Sequence, residues 1–176
     1  MRIGVVSDTH AWPHRGLFEW LSEVEHIIHA GDVGDDRVLT YLESLAPVTA
    51  VRGNVDRTGK PSYLPEVARV NLSGLRLMVT HAISSRPAAQ GELVRKIAAD
   101  IDVLVFGHSH RPQIVKRNGV LLLNPGSAGP RRFDLPVSAA TIDLSERRVT
   151  IADIASNGFD TVETWNLDES LGTESS

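Results

Sequence analysis

Ile3-Gly4-Val5-Val6-Ser7-Asp8-Thr9-His10 decides the fold. Residues 3–6 are an apolar run too short for a helix, and the run stops on polar Ser7-Asp8. That pattern predicts a buried strand whose exit carries a carboxylate and, two residues on, an imidazole. The same device recurs downstream. Residues 26–30 form a second apolar run closed by Gly31-Asp32, and residues 48–51 a third closed by Gly53-Asn54. Between them lie two helical patterns. The first places Leu17, Trp20, Leu21 and Val24 on one face, and the second, over residues 37–45, does the same with Val38, Leu39, Leu42 and Leu45 before Pro47 stops it. The order β-α-β-α-β predicts a parallel sheet with covering helices.

The second half changes character. Residues 67–71 and 75–80 flank Ser73-Gly74, a hairpin signal. Residues 88–100 read as a helix with Leu93, Val94, Ile97 and Ala98 as its stripe. Residues 103–106 are a buried strand before Gly107-His108. Asn118-Gly119 joins strands at 113–116 and 120–123, and Ser145-Glu146 joins 139–144 to 148–154. The expectation is an α/β protein: a four-layer α-β-β-α sandwich, two mixed β-sheets packed face to face with helices outside. One domain over residues 1–165 and a disordered acidic tail over 166–176 follow from the polar, acidic composition after Asn166.

Composition narrows the chemistry. The 176 residues include no cysteine, which excludes disulfides, a thiolate-held zinc and a thiol nucleophile. A net charge of -4 argues against a partner bound by bulk positive charge, so nucleic acid is disfavoured, as is an anionic membrane surface. No apolar run reaches membrane-spanning length and no signal peptide pattern is present, so a cytoplasmic location is expected.

The polar residues that interrupt the core share one context: each follows an apolar strand. They are Asp8 and His10, Asp32, Asn54 with Asp56, His81, then His108 and His110. Positions just past the carboxyl ends of strands in an α/β sheet face the ligand crevice. In Asp8-x-His10 and His108-x-His110 the spacing of two in an extended segment points both side chains to one side. Each piece alone has a plainer reading. Gly-Asp caps helices, Gly-Asn makes turns, and a lone histidine at a strand end is commonly a hydrogen-bonded core residue. The joint occurrence, in one order after successive strands, points to metal binding. Mixed nitrogen and oxygen donors without sulfur suit two divalent ions, Mn first, with Ni, Fe, Zn, Co or Mg as alternatives. Seven donors exceed one ion's coordination but suit two, the arrangement used for in-line displacement at phosphorus.

The series Asp8-x-His10, Gly31-Asp32, Gly53-Asn54-x-Asp56, His81, Gly107-His108-x-His110 resembles the signature of the calcineurin-like metallophosphoesterase superfamily. Asn124-Pro125-Gly126-Ser127, followed by Pro130-Arg131, resembles the closing motif of its small, cap-less prokaryotic phosphodiesterase branch. The resemblance implies a first ion on Asp8, His10, Asp32 and His110. It implies a second on Asp32, Asn54, His81 and His108, with Asp32 as the bridge and a metal-bridging hydroxide as nucleophile. It implies a dinuclear metal-dependent phosphoesterase, a phosphodiesterase by branch, acting on a small phosphate ester, with self-association common among relatives. The alternative it carries is an interaction scaffold, since a retromer subunit has this fold with some metal ligands lost. Two departures stand out. Val55 occupies a position where relatives often place histidine or cysteine, and Ala82-Ile83 follows His81 where many have Gly-His. Of the other histidines, His14 is expected in a surface loop and His29 in a packed or supporting role, with His26 given no metal role. Arg131 and Arg132 are candidates to meet substrate phosphate.

Overall fold

The computed structural model describes residues 1–132 and 134–168. Two sheets pack face to face. The six-stranded sheet has the order β11-β10-β9-β1-β2-β3, built from β1 (Arg2–Val6), β2 (His26–His29), β3 (Val48–Ala50), β9 (Ser138–Asp143), β10 (Arg148–Asp153) and β11 (Asp160–Asn166). The five-stranded sheet has the order β4-β5-β6-β8-β7. Its strands are β4 (Val67–Leu72), β5 (Leu75–Thr80), β6 (Val103–Val105), β7 (Gln113–Arg117) and β8 (Val120–Asn124). Strands β1, β2 and β3 run parallel, as do β5, β6 and β8, while the edge strands β4 and β7 of one sheet, and β9, β10 and β11 of the other, pair antiparallel. Both sheets are therefore mixed, as expected.

The alternation of side chains along each strand assigns the layers. In β1, Ile3 and Val5 point between the sheets and join Ile28, Val79, Val105, Leu123 and Ile142 in the central core. Val6 points the other way and packs under α1 (Gly16–Trp20) and α2 (Asp36–Leu45) with Leu17, Leu21, Val38 and Leu42. Gly4 lies on that outer face because a Cβ there would overlap Leu21 Cδ2. On the far side, α3 (Pro87–Ile97) presses Val94 and Ile97 onto Met78, Leu104 and Leu122. The four layers are α1/α2, the six-stranded sheet, the five-stranded sheet and α3.

Three local differences have physical causes. The first helix ends at Trp20, because Leu21 leaves helical geometry (φ -89°, ψ 1°) and the Ser22 hydroxyl takes the Glu19 carbonyl. Leu21 and Val24 still reach the core, from turns. Helix α2 begins one residue before the expected start, since Asp35 caps it by accepting from the Arg37 N–H at 2.8 Å. Strand β11 was not foreseen. Asp160-Thr161-Val162-Glu163-Thr164-Trp165-Asn166 is an edge strand with both faces mostly exposed, so it lacks the apolar alternation that reveals a strand. It pairs with β10, and Trp165 packs against the central core. The expected tail began at Asn166, but Asn166 closes β11, the Leu167 N–H donates to the Arg147 carbonyl, and Asp168 pairs with Arg147. Residues 169–176 of that tail lie outside the described residues. Among the described residues no helix is long and apolar enough to cross a membrane.

Candidate metal centre

The parallel strands of both sheets deliver their carboxyl ends to the same edge of the sandwich. The loop after β1 carries Asp8 and His10, the loop after β2 carries Asp32, and the loop after β3 carries Asn54. From the other sheet, His81 follows β5, and His108 and His110 follow β6. The structure brings all seven together in one continuous set of contacts. His110 Nε2 lies 3.1 Å from Asp8 Oδ1 and 3.2 Å from His10 Nε2. His10 Nε2 is 3.9 Å from Asp32 Oδ2, which is 3.4 Å from His81 Nε2. Asn54 Oδ1 is 3.1 Å from both His81 Nε2 and His108 Nδ1. Two overlapping groups have geometry fit to hold a cation, Asp8-His10-His110 and Asp8-Asp32-His81, with donor atoms within 4.8 Å of one another in each.

The backbone that presents these groups is strained. Asp8, His10, Asp32, His108 and His110 all have positive φ, between 48° and 67°. Aspartate and histidine tolerate this left-handed region better than most residues, yet each such residue costs on the order of 1–3 kcal/mol. Five together persist only because the surroundings over-determine them. Glycines allow the required closeness. A Cβ at Gly53 would overlap Asp32 Oδ1, and one at Gly107 would overlap Ser7 Oγ.

Hydrogen bonds fix which oxygen and which nitrogen face inward. Asp8 Oδ2 accepts from the Ser7 hydroxyl at 2.6 Å and from the His108 N–H at 3.1 Å. Asp8 Oδ1 is buried and without a hydrogen-bond partner among the described residues, although two imidazole nitrogens stand near it. Asp32 Oδ1 accepts from the Val55 N–H at 3.0 Å, which leaves Oδ2 to face His10 and His81. His81 Nδ1 is 2.8 Å from the Ala30 carbonyl, so Nδ1–H donates there and Nε2 presents its lone pair to the cluster. Converging lone pairs with an orphaned carboxylate oxygen in a buried crevice call for a positive centre, and the donor chemistry fits a divalent metal.

Electrostatics agrees. Burial pulls the Asp32 carboxyl upward, but the His81 hydrogen bond and the Val55 N–H outweigh it and hold the group at about 2. Burial pulls His81 down, yet its bonds to Asp32 and to the Ala30 carbonyl raise it above the usual value. A proton on Nε2 and a cation thus compete for one place. His10 is lowered by burial and by the positive charge of Arg132.

The remaining sequence candidates support rather than join the cluster. Asp56 braces two loops: its carboxylate accepts from the N–H groups of Val33 (3.1 Å), Gly34 (2.8 Å) and Gly53 (2.8 Å). Its spacing from Asn54 suggested a ligand, and no sequence signal separates the two roles. The Asn124–Ser127 motif is a buttress. Asn124 Nδ2 donates to the Gly107 carbonyl and the Ser127 hydroxyl to the Asp8 carbonyl. His14 is half-buried, and its Nδ1 accepts from the Gly16 N–H. His26 bonds Thr49 at the opposite end of β2. Arg131 is engaged by Asp153 at 3.6 Å. His29 is fully buried, with Nε2 3.0 Å from Thr9 Oγ1. Since the Thr9 hydroxyl donates to the Val33 carbonyl, it accepts from His29 Nε2–H.

A family model described as the calcineurin-like phosphoesterase superfamily domain matches residues 1–147. A probable metallophosphoesterase of Methanothermobacter thermautotrophicus is 38% identical over 155 residues, covering 81% of this chain and 87% of that protein. Among solved structures, Vacuolar Protein Sorting 29 from Cryptosporidium parvum superposes with a TM-score of 0.79 at 20% identity, covering 94% and 97% of the two chains. An archaeal phosphodiesterase superposes with a TM-score of 0.70 at 26% identity, covering 86% and 98%.

Two outcomes are expected. Asp56→Ala removes the acceptor of three backbone N–H groups, so stability should fall by about 1–3 kcal/mol in urea unfolding. His29 is pushed by burial from 6.5 to about 4. Its pKa is lower folded than unfolded, so the unfolded chain binds more protons and stability is lost as pH falls below about 6.5. At 1.36 kcal/mol per unit, the advantage of wild type over His29→Gln should shrink by about 2 kcal/mol between pH 7.5 and 5. Paired unfolding curves at the two pH values check this.

Proposed function

Since the chain belongs to the calcineurin-like phosphoesterase superfamily, we propose that it is a phosphodiesterase working with two divalent metal ions. The observation that carries this reading is the chain of seven donors in contact with one another, five of which form two close groups that share Asp8, while Asn54 and His108 extend it through His81. In this reading Asp8, His10, Asp32 and His110 hold one ion, Asn54, His81, His108 and Asp32 hold the other, and Asp32 is shared. Bound there, two divalent cations lower the pKa of a water and neutralise phosphoryl oxygens. Manganese suits the mixed nitrogen and oxygen donors, and Ni, Fe, Zn, Co and Mg are its competitors.

The chain's own residues do the positioning. Ser7 and the His108 N–H hold one oxygen of Asp8 so that the other is aimed inward. The Val55 N–H does the same for Asp32. The Ala30 carbonyl fixes the tautomer of His81. Arg132, whose charge is felt at His10, adds positive potential where the oxygens of a phosphate ester would arrive. The reaction adds water to phosphorus and breaks one P–O ester bond. The ester oxygen leaves as an alcohol or phenol and a phosphomonoester remains. Relatives described as phosphodiesterases support the diester over the monoester. The likeness to Vacuolar Protein Sorting 29 is one of fold at 20% identity, and with every ligand position filled here the enzymatic reading is preferred to a scaffold.

Val55 sharpens the substrate. Its exposed aliphatic side chain (43%) beside Asn54 can neither donate a proton nor bind an oxyanion. The leaving group must then depart without help from that position, which favours esters whose leaving group has a low pKa, aryl esters above all, over alkyl esters.

The test is turnover of bis(p-nitrophenyl) phosphate by metal-loaded protein. Asp32→Asn, His108→Ala and His110→Ala should each lose about 100-fold or more, whereas His26→Ala, at the far end of β2, should stay near wild type. Equal losses in all four would refute the assignment. Alkyl diesters should be cleaved more slowly than aryl diesters relative to their uncatalysed rates, and Val55→His should narrow that gap.

A further inference from the structure

Two grooves leave the candidate centre, and they differ in chemistry. One, of about 730 Å³, lies beside Asn54 and His81 and is polar, lined by Arg57, Ser62 and the Arg52–Glu66 ion pair. The other, of about 630 Å³, begins at His108 and reaches the N-terminal end of α3. Its lining includes Ile83, Pro87, Phe106, Pro112, Leu135 and Pro136. Phe106 is buried at its base. The side-chain amides of Gln90 and Gln113 and the cation of Arg111 interrupt the apolar surface. Arg117 also lines it, with a buried Nε that has no hydrogen-bond partner among the described residues.

His108 belongs to both places. Its Nδ1 is 3.1 Å from Asn54 Oδ1 in the centre, and the residue lines the mouth of the trough. An ester whose phosphorus sits at the centre therefore has the trough as adjoining space. That volume falls within the roughly 300–1,000 Å³ of small-ligand pockets, which combine apolar walls with a few placed polar groups. A planar aromatic arm matches it. Its faces would meet Ile83, Pro112 and Phe106, and edge donors and acceptors of a nucleobase would meet the Gln113 amide, Gln90 Oε1 (its Nε2 already donates to the Ser84 carbonyl) and Arg117. An alkyl arm would leave those polar groups unused.

Resting on the phosphodiesterase reading, we propose that this trough is the specificity pocket for a planar aromatic arm of the substrate, of the aryl or nucleoside class. Ser85, exposed at the trough and outside the seven-residue cluster, and Ile83 are its accessible determinants.

The test measures binding without catalysis. Phenylphosphonate and methylphosphonate have no ester bond to cleave and differ only in the arm. By calorimetry on the Mn-loaded protein, the phenyl compound should bind about tenfold more tightly, the return expected for burying one ring. Ser85→Trp, which fills the trough, and Ile83→Ser, which strips its apolar lining, should each reduce that ratio while leaving methylphosphonate affinity unchanged. Equal affinity of wild type for the two compounds, or a ratio that survives both substitutions, overturns the pocket. Failure of wild type to retain Mn, or to hydrolyse bis(p-nitrophenyl) phosphate, overturns instead the functional reading beneath it.

Discussion

Two carboxylates, Asp8 and Asp32, are buried with donor atoms within 4.8 Å of one another and of His81. Like charges so placed in a poorly solvated crevice repel strongly and each loses hydration. The structure answers only half of that cost internally. One oxygen of each carboxylate is hydrogen-bonded to a hydroxyl or backbone N–H, and the other is left facing imidazole nitrogens. Much else follows from holding this arrangement still. Five left-handed residues aim the side chains, Gly53 and Gly107 let the loops touch, Asp56 ties the β2 and β3 loops together, and Ser127 ties the closing motif to Asp8. The four layers matter to function chiefly because they bring the carboxyl ends of β1, β2, β3, β5 and β6 to one edge.

The charge balance takes on a different meaning in this light. A net charge of -4 keeps a broad surface from attracting polyanions. Part of that negative charge is concentrated at Asp8 and Asp32, where divalent cations would more than neutralise it. Around the centre the surface carries Arg111, Arg132 and Arg57, and Arg131 is held back by Asp153. A small phosphate ester can thus be drawn to a locally positive spot on an acidic protein. The two grooves add a directional preference, polar on the Asn54 side and apolar on the His108 side.

Most of the fold and all seven cluster residues were legible, and for one reason. Buried strands of a parallel sheet are continuous apolar runs, and the residue that ends such a run lies at the ligand edge, so Asp8, Asp32, Asn54, His81 and His108 announce themselves by position. What stayed hidden had no such signature. Strand β11 is an edge strand without clean alternation. The first helix stops at Trp20 although the apolar spacing continues to Val24, because burial of Leu21 and Val24 needs no helix. Asp56 resembles a ligand in sequence, and only the three N–H groups that point at it show that it is a brace. In each case the deciding fact is a tertiary contact far apart in the chain or a backbone turn that composition does not encode.

The account stands or falls on whether this edge holds a pair of ions. Crystals grown with manganese and measured for its anomalous scattering would locate them without reference to any substrate. Two peaks are expected about 3.5–4 Å apart on either side of Asp32, one against Asp8, His10 and His110 and the other against Asn54, His81 and His108. A single peak, or peaks away from Asp32, would contradict it.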